Sequence, residues 1–242
     1  MTPKLTIISV LPDLLNTNGD AANARVLAQR ARWSGHEASI VEVRSRADLP
    51  ETVDAIVIGS GSDAELIEAR DVLLTMLDDL RGWTTAGVPL LAVGTGWELL
   101  SWGIELPDGT VVEGLGLVAG RAVPRAMRAT DDIVVAGKHG RLVGFENHAR
   151  DYVGAEASPL GRVVSGTGNG NGGEGLVMGD LIGTHLHGPV LARNPVLADQ
   201  MLRAALGRVG ESYEPGERTV AVDAMAHAVR DQISTGLSLS AE

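Results

Sequence analysis

Short, almost wholly apolar runs separated by stretches of helical periodicity dominate the first hundred residues. Leu5–Val10, Ala38–Val43 and Pro89–Val93 read as strands, and Ala55–Ile58, apolar at every position, reads as a strand buried on both faces. Between them, Asp20–Trp33 places Val26, Leu27, Ala31 and Trp33 at helical spacing, and a second helix is predicted from an N-cap at Asp63 to about Leu80. Its Asp71–Arg81 portion carries a core-facing stripe. Buried strands alternating with helices imply parallel βαβ units. After Leu106 the pattern changes to short strand candidates punctuated by Gly, Asn and Asp: Val111–Val118, Ile133–Val135, Leu142–Glu146, Val163–Val164, Gly175–Met178 and Leu181–His187. Gly166–Gly173, G-T-G-N-G-N-G-G, reads as a loop. Helices return at about Asn194–Leu206 and Glu217–Ile233, the last with Val220, Val222, Met225, Ala226 and Val229 along one stripe that packs on its own domain or on a partner.

The chain has 242 residues, enough for one large domain or one domain with an appendage, and the pattern divides it into a domain over 1–208 and a helical extension over 209–242. Hydrophobic residues make up 44% but aromatics only 3%, with Phe145 the single phenylalanine, so Val, Leu, Ile and Ala fill the core. The net charge of −11 argues against nucleic acid and anionic membrane surfaces as partners. No apolar run approaches the roughly 20 residues of a membrane helix, and no small-residue cleavage site follows the first apolar run; a cytoplasmic protein is expected. There is no cysteine, which excludes disulfides, thiolate metal sites and a thiol nucleophile.

The absent thiol matters because of one segment. Leu90–Leu100 reads L-L-A-V-G-T-G-W-E-L-L, a strand running into a glycine turn and a helix start. That is the frame of a nucleophile elbow, in which a reactive side chain sits on a sharp turn under the first N–H groups of a helix. Its apex is Gly94.

Four stretches in consistent order, covering roughly residues 5 to 205, carry a family resemblance. They are L-P-D-L-L-N-T-N-G-D-A-A-N at Leu11–Asn23, I-G-S-G-S-D at Ile58–Asp63, and the elbow with D-G-T-V-V-E-G-L-G-L-V at Asp108–Val118. The fourth joins G-F-E-N-H at Gly144–His148, the glycine-rich loop, and G-T-H-L-H-G-P-V-L-A-R-N-P at Gly183–Pro195. Together they resemble the CobB/CobQ-like branch of class I glutamine amidotransferases. The resemblance implies an α/β fold of the flavodoxin-like kind, a mostly parallel sheet flanked by helices. It also implies glutamine as ligand, no cofactor, and a synthetase partner that is a Mur-ligase homologue acting on a peptidoglycan precursor.

In that family a cysteine attacks the glutamine amide, and a histidine deprotonates the thiol and returns the proton to ammonia. Carried over, His187 matches the catalytic histidine. It is followed by Gly188-Pro189 rather than Pro-Glu, so no acidic third member is expected. The N–H of Thr95 and the turn Gly59, Ser60, Gly61 match the oxyanion hole, and Gly96 matches the elbow glycine. Arg128 is the candidate anchor for the glutamine carboxylate, with Arg121 and Arg125 as alternatives. Gly94 stands where the family has its nucleophile, and Glu98 where it usually has glutamine. The Thr95 hydroxyl lies next to the apex but points the wrong way for His187 in a normal elbow. Three readings follow: an amidotransferase subunit without glutaminase activity, a glutamine-binding sensor, or an engineered form of an active enzyme. More ordinary readings stand beside these. Glu146 and His148 read as a structural hydrogen-bonded pair before an acid/base pair, and G-S-G-S-D lacks the further motifs of a nucleotide site. His185 and His187, two apart on a strand, form at most half a metal site, so none is expected.

Overall fold

The computed structural model describes residues 4–239. The first half of the chain runs β1 (Leu5–Val10), α1 (Ala22–Trp33), β2 (Ala38–Val43), β3 (Ala55–Ile58), α2 (Leu66–Thr75), α3 (Leu77–Thr85), β4 (Leu90–Val93) and α4 (Thr95–Leu100). Then come β5 (Gly103–Glu105), β6 (Val111–Glu113), β7 (Arg121–Gly137), β8 (Gly140–Val153), β9 (Gly161–Ser165) and β10 (Gly173–Glu174). The chain closes with β11 (Leu176–Met178), β12 (Leu181–Thr184), α5 (Val190–Arg193), α6 (Pro195–Arg208) and α7 (Glu217–Gly236).

Six strands form one sheet in the order β11-β12-β4-β3-β1-β2, parallel except for β11. The alternation of side chains explains its continuous apolar runs. Ile8, Val10, Ile56, Ile58, Leu90 and Ala92 point to one side, into a core shared with Leu66, Leu73 and Leu80 of α2 and α3. Ile7, Val57, Leu91, Val93 and Ile182 point to the other, against Leu27 and Ala31 of α1 and Leu197, Met201 and Leu202 of α6. The register sets the site: Ile58 pairs with Ala92 and Val93 with Thr184, so the segments after β3, β4 and β12 leave the sheet side by side.

The second sheet, β10-β9-β7-β5-β6 with β8 on β7, is mostly antiparallel. Its β7–β8 hairpin is far longer than the short strands expected at Ile133–Val135 and Leu142–Glu146, for a physical reason. In β8 every second residue from Glu146 is buried, and these are Glu146, His148, Arg150 and Tyr152. A strand whose inward face carries charges does not read as a strand by hydrophobic alternation. Between Pro124 and Ala129 the pairing of β7 slips, lifting Arg125–Arg128 off the ladder.

Other expectations are corrected here. The helix expected over 63–80 is two helices, interrupted at Met76, and Asp63 does not cap it: its carboxylate pairs with Arg150, 2.8 Å away. The strand expected over Val111–Val118 ends at Glu113, and that expected over Leu181–His187 ends at Thr184. Helix α7 packs on α1 and α5 of its own chain through Thr219, Ala226, Arg230 and Ser234. Asp223 binds the buried Arg30 guanidinium at 2.6 Å, and Arg230 donates to the Arg193 carbonyl at 2.9 Å. These polar anchors orient the helix, leaving Val220, Met225 and Val229 of the apolar stripe exposed.

Trp97 is fully buried at the junction of the two sheets and stacks on Tyr152 with ring centroids 4.0 Å apart. Trp97→Ala is expected to destabilise the fold by about 3–5 kcal/mol in chemical denaturation; a loss below about 1 kcal/mol would contradict this packing.

Candidate active site

β4 ends at Val93 and α4 begins at Thr95, so the reversal falls on Gly94, at φ 51° and ψ −121°. A side chain is strained in that conformation, which a nucleophile elbow imposes on its apex. Gly94 donates its N–H to the Thr184 carbonyl at 2.9 Å, and Gly96 donates to the Gly59 carbonyl at 3.1 Å. A Cβ on Gly96 would lie 2.3 Å from that carbonyl oxygen, so only glycine lets the helix start approach the turn after β3.

His187 follows β12 at 1% exposure, latched to the second sheet by its N–H donating to the Phe145 carbonyl at 2.9 Å. Its Nδ1 faces the Asn18 side-chain nitrogen at 3.1 Å and Asp20 Oδ2 at 3.4 Å; its Nε2 is buried without a partner among the described residues. A proton on Nδ1 is donated to Asp20 and leaves Nε2 with its lone pair, the tautomer in which Nε2 can take a proton as a general base. The expectation that no acidic member accompanies the histidine is corrected: Asp20 does, from the opening loop rather than from the residues after His187. The only sequence signal for it was its place within Leu11–Asn23. Asp20 also accepts from the N–H groups of Gly188 at 2.9 Å and Ser60 at 3.2 Å.

The proposed oxyanion donor is occupied. The Thr95 N–H donates to Ser60 Oγ at 3.2 Å, and the Thr95 hydroxyl donates to the Gly61 carbonyl at 2.8 Å, away from His187.

Gly94, Thr95, Ser60, Gly61 and His187 border a cavity of about 130 Å³, together with Asn18, Asp63, Glu98, Asn147, His148, Arg150 and Arg128. The slipped segment of β7 brings Arg128 there as an exposed residue, held by its Nε donating to Asn147 Oδ1 at 2.8 Å. Asn147 in turn donates to Asn18 Oδ1 at 2.9 Å. Arg125 is instead paired with Asp151, and Arg121 lies opposite Val153.

Sequence reasoning missed the buried cation at the back of the cavity. Arg150 donates to Glu98 Oε2 at 2.9 Å and to Asp63 at 2.8 Å. Burial works against its charge, but Glu98 and Asp63 outweigh burial and raise its pKa. Glu98 is thus the counterion of an arginine that no local motif reveals.

Two histidines stack behind it, His148 and His185, with ring centroids 4.1 Å apart. Both nitrogens of His148 face acceptors, Glu146 Oε1 at 3.2 Å and the Arg150 carbonyl at 2.6 Å. Burial opposes its charge, yet these acceptors raise its pKa above the ordinary value. His185 goes the other way: burial and the His148 charge lower its pKa against the pull of Glu174. Glu174 accepts from Thr184 Oγ1 and the His185 N–H, both at 2.7 Å, and these donors with the His185 ring lower its pKa despite burial. His185 and His187 therefore face different surroundings, and among the described residues no group of three or more His, Asp or Glu is placed to hold a metal.

Comparison with known proteins agrees with this geometry. Residues 6–195 match the model of the CobB/CobQ-like glutamine amidotransferase domain. The chain is 35% identical over 219 residues to the lipid II isoglutaminyl synthase (glutamine-hydrolyzing) subunit GatD of Staphylococcus aureus (strain N315), covering 88% of this chain and 89% of that one. It is 30% identical to the GatD subunit of Streptococcus pneumoniae (strain ATCC BAA-255 / R6), covering 84% of this chain and 81% of that one. Among solved structures, a glutamine amidotransferase superposes with a TM-score of 0.53 at 20% identity, covering 82% of this chain and 98% of that one. A second, from Thermotoga maritima, superposes with a TM-score of 0.51 at 13% identity, covering 96% and 97%. The chain belongs to the CobB/CobQ-like glutamine amidotransferase family.

The paired histidines give a site-specific expectation. In an NMR titration His148 should titrate above, and His185 below, the ordinary value of 6.5, and His148→Gln should move His185 upward. The raised His148 adds stability that is full below about pH 6.5 and is lost as pH rises through its folded-state value. His185 has the opposite sign, costing stability as pH falls below about 6.5. Both rings titrating together near 6.5 would contradict the assignment.

Proposed function

We propose that this member of the family is a GatD-like subunit that works beside a MurT-like Mur-ligase homologue in amidation of the peptidoglycan precursor lipid II, with its own glutaminase step lost. The support for the partner and acceptor is the similarity to two subunits named for lipid II isoglutaminyl synthase. The support for the lost step is a single observation: glycine occupies the apex of an elbow around which the rest of the machinery is assembled.

The chemistry follows from what Gly94 lacks. Cutting the glutamine side-chain amide needs an atom that bonds to the amide carbon as the C–N bond breaks, with the proton passing through a base to the departing nitrogen. His187 with Asp20 retains the base and its orienting carboxylate, and Arg128 suits a carboxylate anchor at the cavity mouth. No thiol stands before them, and the Thr95 hydroxyl is committed to the Gly61 carbonyl. Removing the nucleophile from such a constellation costs roughly 10⁶ in rate. The subunit then stabilises or regulates its ligase, which draws on free ammonia in the cytoplasm. The retained cavity and Arg128 also suit a glutamine sensor, which differs in binding glutamine saturably without the ligase.

The deciding experiment supplies the chain and its Mur-ligase partner with lipid II, ATP and either glutamine or ammonium chloride. Amidated lipid II is expected with ammonium and only background with glutamine. Amidation driven by glutamine in the absence of added ammonium would overturn the reading.

A further inference from the structure

The space a nucleophile would need is already taken. A Cβ built on Gly94 would stand 2.5 Å from Ser60 Oγ, 2.9 Å from Ser60 Cβ and 2.5 Å from His187 Cε1. A rotation about Cα–Cβ of Ser60 would move its Oγ but leave its Cβ in place. The serine backbone cannot readily withdraw, because its N–H donates to Asp20 and its carbonyl accepts from the Thr17 N–H at 2.8 Å. The same Ser60 Oγ accepts the Thr95 N–H at 3.2 Å, the donor that stands beside the apex where an oxyanion would form.

We infer that Ser60 is a plug: it fills the room of the missing nucleophile side chain and caps the Thr95 N–H, so the site is closed at two positions and cysteine at position 94 alone does not reopen it. The inference rests on the reading of position 94 as the vacated nucleophile position. It makes Ser60 a positioning residue rather than a replacement nucleophile. A serine attacking the amide would leave the new oxyanion to the Thr95 N–H, which is spent on the serine itself. No hydrogen bond joins Ser60 to His187 either, whose Nε2 has no partner among the described residues.

The absence of any cysteine gives a clean readout, since Gly94→Cys creates a protein with one thiol. The full-length Gly94→Cys chain would be compared with its Ser60→Ala and Ser60→Gly double variants. Iodoacetamide labelling would be followed by intact mass, and ammonia release from glutamine measured alongside. Labelling should rise from the single variant through the Ala to the Gly double variant, by about tenfold or more overall, because only glycine removes both contacts that Ser60 makes, leaving that of His187 Cε1. Ammonia release should follow the same order. Equal labelling and equal thermal stability across the three would overturn the plug. A double variant that labels fast but releases no ammonia would uphold it and instead overturn the amidotransferase reading. Ammonia release from the unaltered chain that Ser60→Ala abolishes would make Ser60 the nucleophile and overturn it too. If Gly94→Cys fails to fold, Gly94→Ala serves: Ser60→Gly should restore part of the melting temperature it loses, the strain at φ 51° and the His187 contact keeping the rest, and no recovery would count against the plug.

Discussion

One buried carboxylate holds the site together. Asp20, at 0% exposure, accepts hydrogen bonds from Ser60 and Gly188 and faces the His187 ring. Those groups come from the opening loop, the turn after β3 and the segment after β12, which the parallel register alone brings only to the same edge. A buried charge without partners is costly, and each of these donors offsets part of that cost while fixing one segment against another. The constellation is thus preorganised by the same carboxylate that faces its histidine. It stays assembled although the elbow apex carries no side chain.

The second sheet solves a related problem. Its strand β8 turns Glu146, His148 and Arg150 inward, and each finds an opposite charge or a backbone partner. Glu146 accepts from the N–H groups of Thr167 and Gly168, at 2.8 and 2.6 Å, so the glycine-rich loop closes over the carboxylate. The pair of Glu146 and His148 is thereby fixed, its histidine in the wall of the cavity. Arg150 carries this polar layer forward to Glu98 and Asp63 at the cavity itself.

The parallel sheet was legible from sequence because its strands are short and its inner ones, β3, β4 and β12, are buried at every position, and the elbow because glycines 94 and 96 stand at an unmistakable strand-to-helix junction. His187 and Ser60 were singled out through motif order and Arg128 as one of three candidate arginines, and all three border one cavity. Asp20 and Arg150 were not found, since their meaning lies in contacts across 167 and 52 residues of chain with His187 and Glu98. The long hairpin was hidden because its inward face is charged, and the two-helix break at Met76 because apolar spacing continues through it. What local pattern dictates was readable; what depends on pairing of buried charges was not.

The central proposal is that this amidotransferase frame has no nucleophile at its elbow. Incubating the chain with glutamine labelled with ¹⁵N in its side-chain amide, and following ¹⁵N-ammonium by NMR, tests it most directly. The account requires ammonium to accumulate no faster than in buffer alone. Accumulation in proportion to the amount of chain, abolished by His187→Ala, would contradict it.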